Sequence, residues 1–271
     1  AVSRQIQALE EEVGTPLFLR HTRAVELTTA GTLLLQAVAQ ALPRIDAAVH
    51  HIRQNAGRQH VSVTTFASFA SMWLIPKLEA FQRDHPEIDI RIEASDAALD
   101  LDVVDVDVAV RYAPPGRVPP GARRLFGESV TPMASPWLLK SGGPIRAPED
   151  VLRHTLIEAS DAYTPHLEWL TWRRWLDSHG LQKRQPRSWL SFNYAYQMTQ
   201  AALAGQGLVL ARPPLVAENL ARGDLVEVLP GMALRSPMAY WLLVSPRSAA
   251  RPEVQAFADW LAAQAVATRS V

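Results

Sequence analysis

Ser3, Arg4 and Gln5 stand side by side near the start of the chain, and Arg20 and Arg23 follow close behind. An arginine can grip a guanine edge with two hydrogen bonds, a glutamine suits adenine, and a serine can hold a phosphate. The same three residues fit an ordinary solvated helix face equally well. A second group, Thr64, Thr65 and Ser68, puts three hydroxyls where a strand pattern gives way to a helix pattern. Hydroxyls and free N–H groups at a helix amino terminus suit an anion or carboxylate. Ordinary capping accounts for one such hydroxyl and less comfortably for three.

Other chemistries fare worse. Asp100, Asp102, Asp105 and Asp107 suggest a metal cluster, but alternation with Leu and Val spreads their side chains along a loop and strand. The eight histidines show neither HExxH nor a paired metal spacing, and His50-His51 fits an exposed helix flank. No GxSxG surrounds a serine and there is no cysteine, so neither nucleophile is available. Ala204-Gly205-Gln206-Gly207 is followed by a strand pattern instead of a helix, unlike a dinucleotide fingerprint. Trp169, Trp172, Trp175 and Leu176 recur at helical spacing, as core residues do. The expectation is a protein that is not an enzyme and carries no metal or cofactor.

These residues need elements to position them. Val2, Ile6, Leu9 and Val13 share one helix face, and Gly14 ends that helix. A short two-legged hairpin with a basic tip follows, so the stretch reads as the second half of a winged helix-turn-helix. One helix and a wing cannot bury an apolar face alone, so further helices are expected upstream. Thr28 or Thr29 then caps a long helix to about Asn55, with Leu34, Val38, Ala41, Ile45, Ala48 and Ile52 alternating spacings of four and three. That is a coiled-coil seam, and Pro43 should interrupt or bend it. From His60 onward strands and helices alternate, which predicts α/β lobes with ligands outside the carboxyl ends of the strands.

At 271 residues the chain exceeds one small core, and 48% hydrophobic with 20% charged residues is ordinary for a globular protein. Lack of cysteine suits a reducing cytoplasm. No apolar run is long enough for a bilayer, and the first residues do not resemble a secretion signal, so cytoplasmic is the expectation. Balanced charge, 27 basic against 27 acidic residues, gives no global pull towards nucleic acid.

The run AVSRQIQALEEEVGTPLFLRHTRAVELTTAG resembles the recognition helix, wing and linker entry of the LysR-type transcriptional regulators. The stretches WLIPKLEAFQRDHPEIDIRI, VDVAVRY and AALAGQGLVLARPPLV resemble the sensing half of that family. Trp73-Leu74-Ile75-Pro76 points to its glycine-cleavage-activator-like subgroup. The resemblance implies an α/β protein: a partial winged helix-turn-helix over 1–28, a linker dimerisation helix over 29–57, and a two-lobed periplasmic-binding-protein-like effector domain over 58–271. Lobe I would comprise 58–131 and 246–271, and lobe II 132–245. It further implies that Ser3, Arg4 and Gln5 read DNA, that Arg20 contacts its backbone and that Arg23 reaches the minor groove. Thr64, Thr65 and Ser68 would face Thr131 and Asn193 across the effector cleft, and the effector would be small and anionic or zwitterionic. Leu34, Val38, Ile45 and Ile52 would join two chains in a homodimer, or a homotetramer built from it. Partners would be double-stranded promoter DNA and the effector, with RNA polymerase left open and no membrane. The alternative is a solute-binding protein of a transport system, since two lobes around a cleft would serve either role.

Overall fold

The computed structural model describes residues 2–20, 25–54, 59–95, 106–160 and 168–268, and the chain divides into two compact units, 1–58 and 59–271. Arg23, Asp100, Asp102 and Asp105 fall outside the described residues, as do the side chains of Arg20, His50, His51 and Ile52.

The first unit comprises α1 (Val2–Val13), β1 (Phe18–Arg20), β2 (Val25–Leu27) and α2 (Thr29–Gln54). Gly14 ends α1 at φ +74°, a conformation that favours glycine, and its N–H donates to the Glu10 carbonyl at 2.9 Å. The Glu10 carboxylate accepts from the N–H groups of Leu17 and Phe18 at 2.7 and 3.0 Å, tying the hairpin's first leg to the helix. Thr28 caps α2: its Oγ1 accepts from the Gly31 N–H at 3.0 Å and donates to the Pro16 carbonyl at 2.9 Å. A Cβ on Gly31 would lie 2.1 Å from the Leu17 carbonyl oxygen, so only glycine lets α2 begin against the buried Leu17. Helix α2 runs unbroken across Pro43. The interruption expected there does not end the element, because one missing hydrogen bond is carried by the turns on either side.

The second unit opens with β3 (Gln59–Thr65), then a helical run of α3 (Ala67–Phe69), a π turn (Ala70–Leu74) and α4 (Ile75–Asp84). The helix expected from Ser71 thus starts four residues earlier and widens in its middle. Next come β4 (Ile88–Ala94), β5 (Val108–Ala113), the long β6 (Arg123–Ala134), α5 (Pro136–Gly142), β7 (Thr155–Ala159), α6 (Trp172–Ser178) and β8 (Ser188–Phe192). Then follow α7 (Ala195–Leu203), β9 (Leu208–Ala211), α8 (Ala217–Arg222), β10 (Val226–Glu227), β11 (Leu234–Val244) and α9 (Pro252–Thr268).

Nine strands form one sheet in the order β4-β3-β5-β11-β6-β9-β7-β8, with β10 beside β6. Its two ends are parallel (β4/β3/β5 and β9/β7/β8), as right-handed strand–helix–strand units require. The long antiparallel strands β6 and β11 join them. Each end has its own core. Phe69, Trp73, Phe81 and Phe257 pack in the first, and Leu156, Trp172, Trp175 and Leu208 in the second. Trp172 and Trp175 are fully enclosed and donate their indole N–H groups to the carbonyls of Ile157 and Met232, so these two are core, while Trp169 is half-buried under Arg174. Burying each such ring stabilises by about 1.5–3 kcal/mol. β11 shifts register between Arg235 and Ala239, and from Ala239 to Val244 it pairs with β5.

Asp107 is a framework group. It is buried, 2.8 Å from Arg251 Nη1, and accepts from the Ser62 N–H at 2.8 Å. Among the described residues no group of three or more acidic or histidine side chains could hold a metal.

Candidate nucleic-acid interface and ligand cleft

On α1, Ser3, Arg4 and Gln5 are exposed on the first turn, while Glu10, two turns on, anchors the hairpin. The helix has no buried residue, and Val2, Leu9 and Val13 are at least 45% exposed. An exposed helix amino end costs nothing to keep solvated and can present donors to a groove. The hairpin's first leg delivers Arg20 at its end, in register with Val25.

Helix α2 carries a second exposed feature. Val38 and Ile45 are 39% and 56% exposed, and Leu34 is half-buried. Leu35, Leu42 and Val49, seven residues apart, are also exposed and interleave with Val38 and Ile45 at spacings of three and four. The sequence reading missed these three, although the heptad repeat was present one position along.

The residues expected to line a ligand cleft lie where parallel strands end. Thr64 and Thr65 close β3, fully buried, and Ser68 lies in the helical run that follows. Thr64 Oγ1 accepts from Arg111 Nη2 at 3.1 Å. Ser68 Oγ accepts from the Tyr196 N–H of α7 at 3.4 Å, linking the two ends of the sheet. Thr65 Oγ1 is buried with no hydrogen-bond partner. Thr131 Oγ1 donates to Glu227 Oε1 of β10 at 2.6 Å, so its hydroxyl is already engaged. Asn193 is exposed at the start of the turn into α7. Thr64, Ser68 and Thr131 each have a different partner, and none of these bonds joins one expected cleft residue to another.

A charged group between these lobes went unread in the sequence. Glu128 of β6 has no exposed side-chain surface, and Arg212, just after β9, keeps 19% of its own. Arg212 Nε lies 3.6 Å from Glu128 Oε1, and Nη1 donates to the Tyr240 hydroxyl at 3.3 Å. The Tyr112 hydroxyl donates to Glu128 Oε1 and lies 3.2 Å from Ser236 Oγ. The guanidinium stands over the Tyr112 ring, 5.4 Å from its centre. Glu128 Oε2 is buried without a partner. Burial pushes the Glu128 carboxyl above its usual range against the pull of Arg212 and Tyr112. Burial also works against the charge on Arg212, but Glu128 and the two tyrosines hold it on. The only trace in the sequence is a charge directly after an apolar strand, as in Leu208-Val209-Leu210-Ala211-Arg212.

A surface hollow of about 520 Å³ lies elsewhere, lined by Gly142, Gly143, Pro144, Arg146, Asp150 and Arg153. The Asp150 carboxylate there accepts from the N–H groups of Arg146 and Ala147 and pairs with Arg153.

Residues 54–266 match the family described as LysR substrate binding domain, and residues 1–32 match the bacterial regulatory helix-turn-helix protein, lysR family. The glycine cleavage system transcriptional activator of Escherichia coli K12 is 32% identical over 270 residues, covering 98% of this chain and 85% of that protein. The effector domain of the transcriptional regulator AmpR of Pseudomonas aeruginosa superposes with a TM-score of 0.60 at 27% identity, covering 78% of this chain and 98% of that one. CrgA, a LysR-type transcriptional regulator from Neisseria meningitidis, shares the fold with a TM-score of 0.62 at 22% identity, over 97% of this chain and 88% of that one.

Proposed function

Because the chain belongs to the LysR family of bacterial transcriptional regulators, we propose that it reads promoter DNA with Ser3, Arg4, Gln5, Arg20 and Arg23 under control of a small effector held between its lobes. The effector is anionic or zwitterionic. Thr65 and Ser68 meet it directly, Thr64 is held ready by Arg111, Thr131 joins from the crossing between the lobes on releasing Glu227, and Asn193 contributes from the opposite lobe. A transport role for the lobes is not favoured, since residues 1–32 match a DNA-binding helix-turn-helix. Two chains pair through the α2 seam of Leu34, Val38, Ile45 and Ile52, widened by Leu42 and Val49, as a dimer or a tetramer. The regulator works in the cytoplasm beside its DNA, where RNA polymerase is a further partner. No helix among the described residues is long and apolar enough to cross a membrane.

One observation carries the effector reading: Thr65 Oγ1, buried and unpartnered at the head of a helical run. Leaving such a group unsatisfied costs about 1–3 kcal/mol, which a ligand oxygen would offset. A thermal-shift screen of the chain against amino acids, purines, aromatic acids and cell-wall fragments should yield a compound that raises the melting temperature. Thr65→Val and Ser68→Ala should then weaken that compound about tenfold while operator DNA binding without it stays unchanged. Parental affinity in both variants would put the pocket elsewhere.

A further inference from the structure

The charged group at Glu128 and Arg212 has two halves that differ in access. Glu128 lies wholly beneath the surface and carries a carboxylate of the effector's own sign, so it is not the group that meets an anionic ligand. Arg212 is partly exposed; its Nε and Nη1 are engaged below, and Nη2 has no hydrogen-bond acceptor among the described residues. Its pairing with Glu128 is a single contact at 3.6 Å and not the two-bond fork that a guanidinium makes with a carboxylate. The Nη2 edge of the guanidinium is therefore unspent. The position also fits. Arg212 leads into the turn Pro213–Leu215, which packs on the π turn Ala70–Leu74 that follows Ser68. The Phe69 ring lies 5.1 Å from Tyr240, whose hydroxyl takes the Arg212 bond.

We propose that Arg212 is the charge-reading residue of the cleft: it receives a carboxylate of the effector on its Nη2 edge, while Glu128, Tyr112 and Tyr240 position the guanidinium from beneath. This rests on the cleft reading above and narrows it to carboxylate-bearing effectors. Arginine suits the role because its planar fork stays charged when desolvated and is held by three neighbours before the ligand arrives. Glu128 restrains the guanidinium but also competes for it.

The test is calorimetric titration of the full chain with the proteinogenic amino acids and benzoate, each paired with its primary amide. Acids should bind and their amides should bind at least about tenfold more weakly, the worth of one charge-assisted bond. The double variant Glu128→Gln/Arg212→Met removes both buried charges together, so it should fold yet lose the preference for acids over amides. Glu128→Gln alone should bind acids at least as tightly as the parent, because a competitor has gone; a merely structural Glu128 would give weaker binding. Retention of the acid preference in the double variant would overturn the proposal, and so would a panel with no binder. Acids and amides binding alike, but lost together in Thr65→Val, would overturn the role of Arg212 while leaving the cleft itself in place.

Discussion

Arg4 on α1 and Arg212 after β9 are both arginines offered to an anion, yet one stands in water on a first helical turn and the other is nearly enclosed. Arg4 needs nothing from the rest of the fold except a helix to stand on. Arg212 needs Tyr112 from β5, Glu128 from β6 and Tyr240 from β11, three strands that meet only in the assembled sheet. A phosphate backbone is a strong, extended field that exposed cations find by themselves. A small solute offers one or two charges and must be met by donors already stripped of water. The lesson is that burial converts a common side chain into a selective one, at a stability cost that exposed residues never incur.

That contrast can be broken first at Arg212. Arg212→Met leaves a buried carboxyl without its cation and should cost about 3–5 kcal/mol of stability. Glu128→Gln/Arg212→Met should recover most of it. The loss should also depend on pH. The folded Glu128 carboxyl is already raised above its ordinary value by burial. Its share of stability is therefore present below the ordinary carboxylate pKa and lost as pH rises through the folded value. Without Arg212 that value climbs further, so urea melts of the variant should match the parent's in mild acid and fall well short in mild base. Equal deficits at both would show that Glu128 does not titrate with folding.

At the exposed end, Arg4→Ala should leave stability within about 0.5 kcal/mol of the parent. It should cost about 1–3 kcal/mol on a specific DNA site and relax base preference there, read by titration at fixed salt. Equal specific affinity would remove Arg4 from the base-reading set. The smallest effect is expected on the α2 seam. Val49→Ala trims an exposed apolar contact and should weaken self-association by about 1–2 kcal/mol, or roughly five- to thirtyfold. Sedimentation equilibrium over a concentration series measures it, and a parent that is monomeric throughout would sink the seam.

Legibility followed the range of the interactions. Gly14, Glu10 and Gly31 act within a few turns of chain, so the motif that contains them was readable as a unit. The α2 seam was half-read: its heptad spacing was evident, but Leu35, Leu42 and Val49 are exposed beside Val38 and Ile45 and had not been counted. Thr64, Thr65 and Ser68 were found because a strand end and a helix start are adjacent in sequence. Glu128 was invisible, since a glutamate between Gly127 and Ser129 resembles any edge-strand charge until its partners arrive from β5 and the end of β9.

By itself the sequence determined the order of elements, the winged reading half, the division into two units and the α/β alternation, because periodicity, caps and turn residues act over short distances. Only the tertiary structure decided which polar groups would lie together without water. It put a register shift in β11, bonded Thr131 to Glu227, left Thr65 unpartnered and closed Glu128 beneath Arg212. Those outcomes depend on strands 80 and more residues apart being neighbours in one sheet, as Glu128 and Arg212 are. A hydrophobic pattern specifies that such strands are buried. It does not specify which charge each will find when the sheet closes.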